Sequence, residues 1–269
     1  MTDETLLVTA LSVASTGSAG LSVSATAAGP LPRAQGSMVL ACNALVLPAL
    51  AWLLQDTVGL GLAGIALVMA AAAPGGSTGP LMSVLAGGDP ATAARLFASA
   101  TLVGMTGSLA ATLSIDGDFT KLVAALGFVV VASVCPLALG VVLRAQRPSW
   151  ARRLARPLTV ISVVLLVATV LLFCVRHGAD VTGTELGWIS VVVVASFTPA
   201  LLVRGRQRRL AVAQVSATRN LTLALLVLTA LDVEPRATGA LFGYGLVMYV
   251  ATAAVALVAR WTAPKECPA

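Results

Sequence analysis

Long stretches without a charged residue are the feature that most limits how this 269-residue chain can fold. No Asp, Glu, Lys or Arg occurs between Ser37 and Gln55, or between Pro157 and Val175. A helix of about 20 residues crosses a hydrocarbon core about 30 Å thick, so stretches of this length can span a bilayer. The composition agrees, because 58% of the residues are apolar and 10% are charged, whereas soluble domains have about 45–50% and about 25%. The sequence therefore predicts a membrane protein surrounded by lipid bilayer.

The apolar segments are continuous rather than alternating, which favours transmembrane helices over a β-barrel. We predict an all-α polytopic protein with about nine transmembrane helices. The predicted spans are residues 5–27, 37–55, 59–86, 91–113, 119–144, 157–175, 186–203, 210–231 and 238–260. Little chain is left for loops, so residues 1–269 are predicted to form a single transmembrane transporter domain. The acidic N-terminus indicates that the first apolar segment is a retained helix and not a cleaved signal peptide.

The charges between the spans predict the orientation in the cell membrane. Basic residues fall in alternate loops and after the last span: Arg33, Arg144, Arg147, Arg152, Arg153, Arg156, Arg204, Arg206, Arg208, Arg209, Arg260 and Lys265. Acidic residues fall in the other loops: Asp56, Asp116, Asp118, Asp180, Glu185, Asp232 and Glu234. The positive-inside rule then places the N-terminus outside and the C-terminus in the cytoplasm. The same rule accounts for the net charge of +6, so no nucleic-acid partner is expected.

The third predicted span is interrupted by Pro74-Gly75-Gly76-Ser77-Thr78-Gly79-Pro80. Proline has no backbone N–H and clashes with the preceding turn, so an ordinary helix cannot continue through this segment. Within lipid, an interrupted backbone persists only where protein or a wet cavity satisfies its polar groups, and transporters use such half-helix ends to bind ligands. We therefore predict a functional break in this helix, built by Pro74, Gly75, Gly76, Gly79 and Pro80. Its candidate ligand-binding residues are Ser77 and Thr78.

The eighth predicted span carries Arg219, which is the only charge deep inside a predicted span. A lone intramembrane Arg costs at least a few kcal/mol unless it is paired or hydrated, which makes it a functional candidate. The alternative is that its side chain reaches the cytoplasmic surface near Arg209, but ten helical residues separate the two by about 15 Å. Gln214, Thr218 and Asn220 accompany Arg219 as candidate binding residues.

A lone amide in the second span, Asn43, is a further candidate binding residue, although a helix-to-helix hydrogen bond is its more common role. The four cysteines lack metal-ligand spacing, and no catalytic triad or pair of carboxylates is apparent. The sequence therefore predicts neither an enzyme, nor a metal site, nor a cofactor.

These three segments resemble the bile acid:sodium symporter family. Asn43 to Pro48 resembles the family's Q-x-x-x-x-P helix. The segment from Pro74 to Pro80 resembles its P-G-G-T-x-S-N crossover, and Gln214 to Arg219 resembles its E-V-G-M-Q-N crossover. The segments occur in the family's order along nearly the whole chain.

The resemblance implies two inverted repeats, each with a broken helix, and the two broken helices cross near mid-membrane. With nine spans, the first helix of the first repeat would be absent. A panel would contain the spans at about 5–27 and 119–175, and a core those at about 37–113 and 186–260.

The departures from the family pattern concern its sodium sites. Where the family has Glu, Gln and Ser-Asn, this chain has Gln214, Thr218 and Gly79-Pro80. Ala93 and Phe97 lie roughly where the next helix would supply hydroxyls, and Arg219 replaces an Asn. Hard cations bind to several oxygens and usually a carboxylate, so a bound sodium ion is not expected.

We therefore predict a secondary active or facilitative transporter of a small organic anion. Arg219 would stand in for sodium, and coupling would be to protons or absent. Three alternatives stay open: a conventional sodium-coupled symporter that binds its ion through backbone carbonyls, an auxin-efflux-type carrier, and a non-transporting scaffold or sensor. The substrate, the direction of transport and the oligomeric state are left open.

Overall fold

The computed structural model describes residues 3–22, 31–114, 120, 123, 127, 130–177, 182–230 and 235–262. Within these ranges all regular secondary structure is helical, which confirms the all-α prediction. The helices are α1 (Asp3–Ser22), α2 (Arg33–Ala41), α3 (Leu47–Val58), α4 (Gly61–Ala72), α5 (Gly79–Leu85), α6 (Pro90–Ser114), α7 (Cys135–Gln146), α8 (Pro148–His177), α9 (Gly183–Ala195), α10 (Arg206–Ala217), α11 (Leu221–Ala230) and α12 (Pro235–Trp261). A π-helical turn (Cys42–Val46) joins α2 to α3, a second (Val130–Val134) precedes α7, and a 3-10 turn (Thr198–Leu202) follows α9.

Four helical segments in the described part of the chain are long and apolar enough to cross a membrane. They are Arg33–Val58, Pro148–Leu172, Gly183–Leu202 and Arg236–Trp261. By their length and composition these helices support a multi-pass membrane protein. The count of nine spans and the inverted repeats stay predictions. Most of the predicted fifth span before residue 130 lies outside the described residues. The same holds for Asp116, Asp118, Asp180, Asp232 and Glu234.

The basic segment predicted as the loop between spans five and six is almost entirely helical. α7 continues to Gln146, α8 begins at Pro148, and Pro157, which was expected at the start of a span, lies inside α8. Pro148 suits the first turn of α8, because the N–H that proline lacks would have no partner within the helix there. The chain therefore turns only at Arg147, and the other arginines of this segment lie on helices.

α1 packs closely along α7 and α8. Small residues permit this approach: a Cβ on Gly140 would lie 2.7 Å from the Gly17 carbonyl oxygen. Hydroxyl pairs add polar contacts, with 2.6 Å between the oxygens of Ser18 in α1 and Thr159 in α8. A second pair, Ser12 of α1 with Ser133 of the π-helical turn before α7, is separated by 2.7 Å. Small and hydroxylated residues are typical of helix interfaces in membranes, where close van der Waals contact replaces the hydrophobic effect. The division of the chain into panel and core stays a prediction.

The two predicted broken spans are interrupted in the structure. α4 and α5 are separated by residues 73–78, and α10 and α11 by residues 218–220. The two breaks run antiparallel against each other: the Gly76 N–H donates to the Thr218 carbonyl at 3.1 Å, and the Asn220 N–H donates to the Ala73 carbonyl at 2.8 Å. Each break thereby satisfies backbone groups that the other has freed. These bonds hold the two breaks against each other, whereas the crossing near mid-membrane that the family resemblance implies stays a prediction.

The break is shorter than the predicted crossover segment. Gly79 and Pro80 are the first residues of α5, so they belong to a helix and not to the extended backbone. Proline fits there because its fixed φ is compatible with a first helical turn.

Candidate functional site

Glycine is required where the two breaks meet because the backbones are in contact. A Cβ on Gly76 would lie 2.5 Å from the Arg219 carbonyl oxygen. A Cβ on Gly79 would collide with the Thr218 hydroxyl, and Gly75 has a φ of 83° that L residues rarely adopt. The P-G-G-x-x-G spacing therefore encodes the close approach of two unwound chains.

Arg219 is the central side chain of the crossing. It is 1% exposed, and one terminal nitrogen, Nη1, donates to the carbonyls of Ala71 at 3.3 Å and Asn43 at 3.4 Å. The other, Nη2, donates to the Ser196 hydroxyl at 3.5 Å. The side chain thus points into the protein between α4, α9 and the π turn, and its burial does not fit a guanidinium that reaches a membrane surface.

The two backbone carbonyls that accept from Arg219, those of Asn43 and Ala71, have no backbone N–H donor within their own helices. In the π turn the Leu47 N–H donates to the Cys42 carbonyl, so the next donor, at position 48, would serve Asn43. Position 48 is proline and has no N–H to give. Ala71 lies in the last turn of α4, where helix carbonyls have no partner within the helix. The guanidinium therefore occupies a place where two backbone oxygens need a donor.

The positive charge of Arg219 has no acidic partner among the residues that the structure describes. Nε of Arg219 is buried without a hydrogen-bond partner. The hydroxyl of Tyr244 lies beside the guanidinium and Ser196, but it forms no hydrogen bond of good geometry. The carboxyl-terminal end of α4 offers a partial negative charge through its dipole, which favours a cation there. A buried cation balanced only by dipoles attracts an anion, because a full countercharge would lower the cost of its burial.

Asn43 and Gln214 each have one side-chain atom engaged and one left over. Asn43 Nδ2 donates to the Val39 carbonyl at 2.8 Å and the Ser216 hydroxyl at 2.9 Å. Gln214 Nε2 donates to the Thr252 carbonyl at 3.2 Å. The amide oxygens of both side chains are buried without a partner, so two acceptors beside the crossing are open to a donor.

Thr218 and Asn220 serve the local backbone. The Thr218 hydroxyl donates to the Gln214 carbonyl at 2.9 Å, one turn earlier in α10. Oδ1 of Asn220 accepts from the Leu223 N–H at 3.0 Å and so caps the start of α11. Their roles in the structure are to end one half-helix and begin the next.

Ser77 and Thr78 lie on the side of the break that faces α1. The Ser77 carbonyl accepts from the Ser15 hydroxyl at 3.1 Å, and the Ser77 side chain is only half-buried. Thr78 is buried beside Tyr249. The structure thus does not bring these two hydroxyls to the Arg219 guanidinium.

Ala93 and Phe97 of α6 are fully buried in an apolar cluster with Val212 and Val215 of α10. Apolar packing therefore fills the positions where the family resemblance implies hydroxyls for sodium.

Four residues at this site were not anticipated: Ala71, Ser196, Thr252 and Tyr244. Ala71 contributes only its backbone, which no side-chain pattern can indicate. Tyr244 could have been recognised from the sequence as a candidate site residue, because a buried phenol hydroxyl in an apolar span usually needs a hydrogen-bond partner.

Comparison with known protein families identifies the family of this chain. The profile of the Sodium Bile acid symporter family matches residues 14–184, which is more than half of the chain. The matched region contains the π turn with Asn43 and the first break, and it ends before the second. A comparison with curated proteins gave no match. The chain therefore belongs to the sodium bile acid symporter family, whose members are membrane transporters.

Proposed function

We propose that the chain is a secondary carrier of a small organic anion that works by alternating access, with the Arg219 guanidinium in the place of a coupled sodium ion. Family membership supports a transporter of the bile-acid or organic-anion type. The observation that carries the finer proposal is the contact of a buried guanidinium with the Ala71 and Asn43 carbonyls, without a carboxylate partner in the described residues.

The charges at the crossing are consistent with a built-in cation. A sodium site needs several oxygens and usually a carboxylate, whereas position 214 is a neutral Gln and position 219 adds a positive charge. Arginine keeps its proton at every physiological pH, so this charge cannot dissociate as an ion can. The substrate anion would then supply the negative charge that the site lacks, with the free amide oxygens of Asn43 and Gln214 accepting from its hydroxyls or from water.

Replacement of sodium provides the direct test. We expect proteoliposomes containing the protein to take up organic anions at rates that change by less than about twofold when potassium or choline replaces sodium, because an ion that is not bound contributes no coupling free energy. The measurement is initial uptake of a panel of radiolabelled mono- and dicarboxylates and a bile-acid conjugate, with protein-free liposomes as the control. Steep sodium dependence would favour the conventional symporter. Absence of uptake for every anion would favour a scaffold.

The proposed orientation is tested by labelling. We expect a cysteine at Thr57, in the last turn of α3, and a cysteine at Arg204, before α10, to react from opposite faces of the membrane. The physical reason is the retention of basic loops in the cytoplasm. The substitutions are made in a chain whose four native cysteines are replaced by serine, and an impermeant maleimide is applied to intact and to lysed cells. Reaction of both sites from one face would contradict the proposed parity of spans.

A further inference from the structure

A small cavity lies between α2 and the first turns of α6, and Arg219 is not among the residues that line it. Its volume is about 140 Å³. Gly36 and Leu40 line it from α2, and Thr92, Arg95, Leu96 and Ser99 line it from α6. The Asp89 N–H donates to the Gln207 carbonyl at 3.0 Å, so this end of α6 lies beside the basic segment 204–209.

The α6 wall of the cavity is polar. Thr92, Arg95 and Ser99 are spaced by three and four residues, which puts them on one face of the helix. Thr92 is 2% exposed and its hydroxyl has no hydrogen-bond partner, although it lines the cavity. Within the described ranges, Arg95 makes neither an ion pair nor a hydrogen bond. A buried hydroxyl without a partner and an unpaired guanidinium thus face the same space.

The nearby carboxylate does not neutralise this wall. Oδ2 of Asp89 accepts from the Thr92 N–H at 2.9 Å and so caps the first turn of α6. Asp89 is 5% exposed and engages the helix end, where an acidic side chain offsets the positive end of the dipole. Arg95 remains the cation that is available to a ligand.

The rest of the lining is apolar, with Leu40 of α2 and Leu96 of α6 facing the cavity. A Cβ added to Gly36 would meet no atom within 4 Å, so this position has space for a larger side chain. A volume of about 140 Å³ admits only a small molecule. The lining therefore selects for one negative charge attached to a short apolar group.

We propose that this cavity is a binding site for a small monocarboxylate, with its carboxylate on Arg95 and the Thr92 hydroxyl and its apolar group against Leu40 and Leu96. The site is separate from the Arg219 cluster. It rests on the proposed function in one respect, since a carrier of organic anions would hold its substrate here at one end of the transport path.

Binding of benzoate and butyrate to the purified protein in neutral detergent tests the proposal without any transport step. We expect saturable binding by scintillation proximity, and Arg95→Gln is expected to weaken it by about tenfold or more, because a charge-assisted pair is lost. Gly36→Leu should abolish binding by filling the cavity. Gly36→Ala is the matched control and should bind like the wild type, because a Cβ at this position meets no atom within 4 Å.

Binding that is unchanged in both Arg95→Gln and Gly36→Leu would overturn the proposal. An anionic lipid headgroup presents similar chemistry, so native mass spectrometry of the same samples provides a second arm. Phosphatidylglycerol that co-purifies with the wild type but not with Arg95→Gln, without binding of benzoate or butyrate, would also overturn it. Failure of transport would not affect these readouts, so the two proposals can fail separately.

Discussion

Arg219→Met is expected to lower organic-anion uptake by about a hundredfold or more, since loss of a buried charge-assisted partner costs about 2–5 kcal/mol. In the proposed mechanism the Arg219 guanidinium supplies the positive charge at the crossing, and methionine offers no charge to a substrate carboxylate. Arg219→Lys should recover only part of the uptake, because an ammonium group is a compact charge without the planar fork that spans two acceptors. Initial rates in proteoliposomes, corrected for the amount of reconstituted protein, measure both effects.

The same substitution is expected to leave the fold intact, which separates a transport defect from unfolding. The hydrogen bonds of Arg219 to Ala71, Asn43 and Ser196 are long, at 3.3–3.5 Å, and Nε has no partner. Replacement of a buried cation that lacks a countercharge by methionine relieves its desolvation cost, which offsets the loss of these long hydrogen bonds to the Ala71 and Asn43 carbonyls. We expect the melting temperature in detergent to stay within about 4 °C of the wild type.

A double variant provides the matched control for this prediction. Gln214→Glu combined with Arg219→Asn removes the fixed positive charge and restores the residues that the family pattern has at these positions. Uptake by this variant should become sodium-dependent, whereas Gln214→Glu alone should not, because Arg219 would pair with the new carboxylate. Uptake that is unaffected by Arg219→Met would show that Arg219 is only a packed side chain.

Gly76→Ala is expected to prevent the two breaks, residues 73–78 and 218–220, from packing against each other. The new methyl group would lie 2.5 Å from the Arg219 carbonyl oxygen and 2.9 Å from the Thr218 carbonyl carbon. Both atoms belong to backbone that is held by hydrogen bonds from Gly76 and Asn220, so neither can move aside as a side chain can. We expect a cost of about 3 kcal/mol or more, at the upper end of overpacking penalties. The expected result is little monodisperse protein and a lower melting temperature.

The control for this effect is Gly187→Ala in α9, where an added Cβ meets no atom within 4 Å. Fluorescence-detected size-exclusion chromatography of both variants in the same detergent measures the yield of folded protein. Normal yield and stability of Gly76→Ala would contradict the tight crossing and indicate a wider separation between the breaks.

The residue types were sufficient to predict the break in the third span and the special position of Arg219, and the family resemblance implied the crossing, but neither gave the atoms that bind Arg219. Two prolines and three glycines between Pro74 and Pro80 cannot form a regular helix, and an isolated arginine in an apolar segment marks a special site. Both signals reside in residue types, so they can be read without coordinates. The acceptors at Ala71 and Asn43 are backbone oxygens, which become free only through a helix end and a π turn. Their availability depends on hydrogen-bond register, which residue types do not specify.

The ends of helices were predicted less well for a related reason. The arginines from Arg144 to Arg156 indicated a loop because they are charged, yet α7 and α8 run through them. Arginine is a good helix former, and its charge determines the side of the membrane rather than the local backbone. The turn at Arg147 is marked only by the following Pro148, since the residue before a proline is disfavoured in helical conformation.

The covalent attachment of the Arg219 cation to the crossing affects how a carrier of this kind could be driven. In a sodium-coupled carrier, the ion moves down its gradient and is released on the other side, and this movement drives the transport of the substrate. A guanidinium stays on the protein and returns with it, so it contributes no net work over a transport cycle. Where proton coupling is also absent, the remaining driving force is the electrochemical gradient of the anion itself, and each elementary charge gains or loses about 2.3 kcal/mol per 100 mV of membrane potential. A cell interior at negative potential would then favour release of a monovalent anion from the cell over its accumulation.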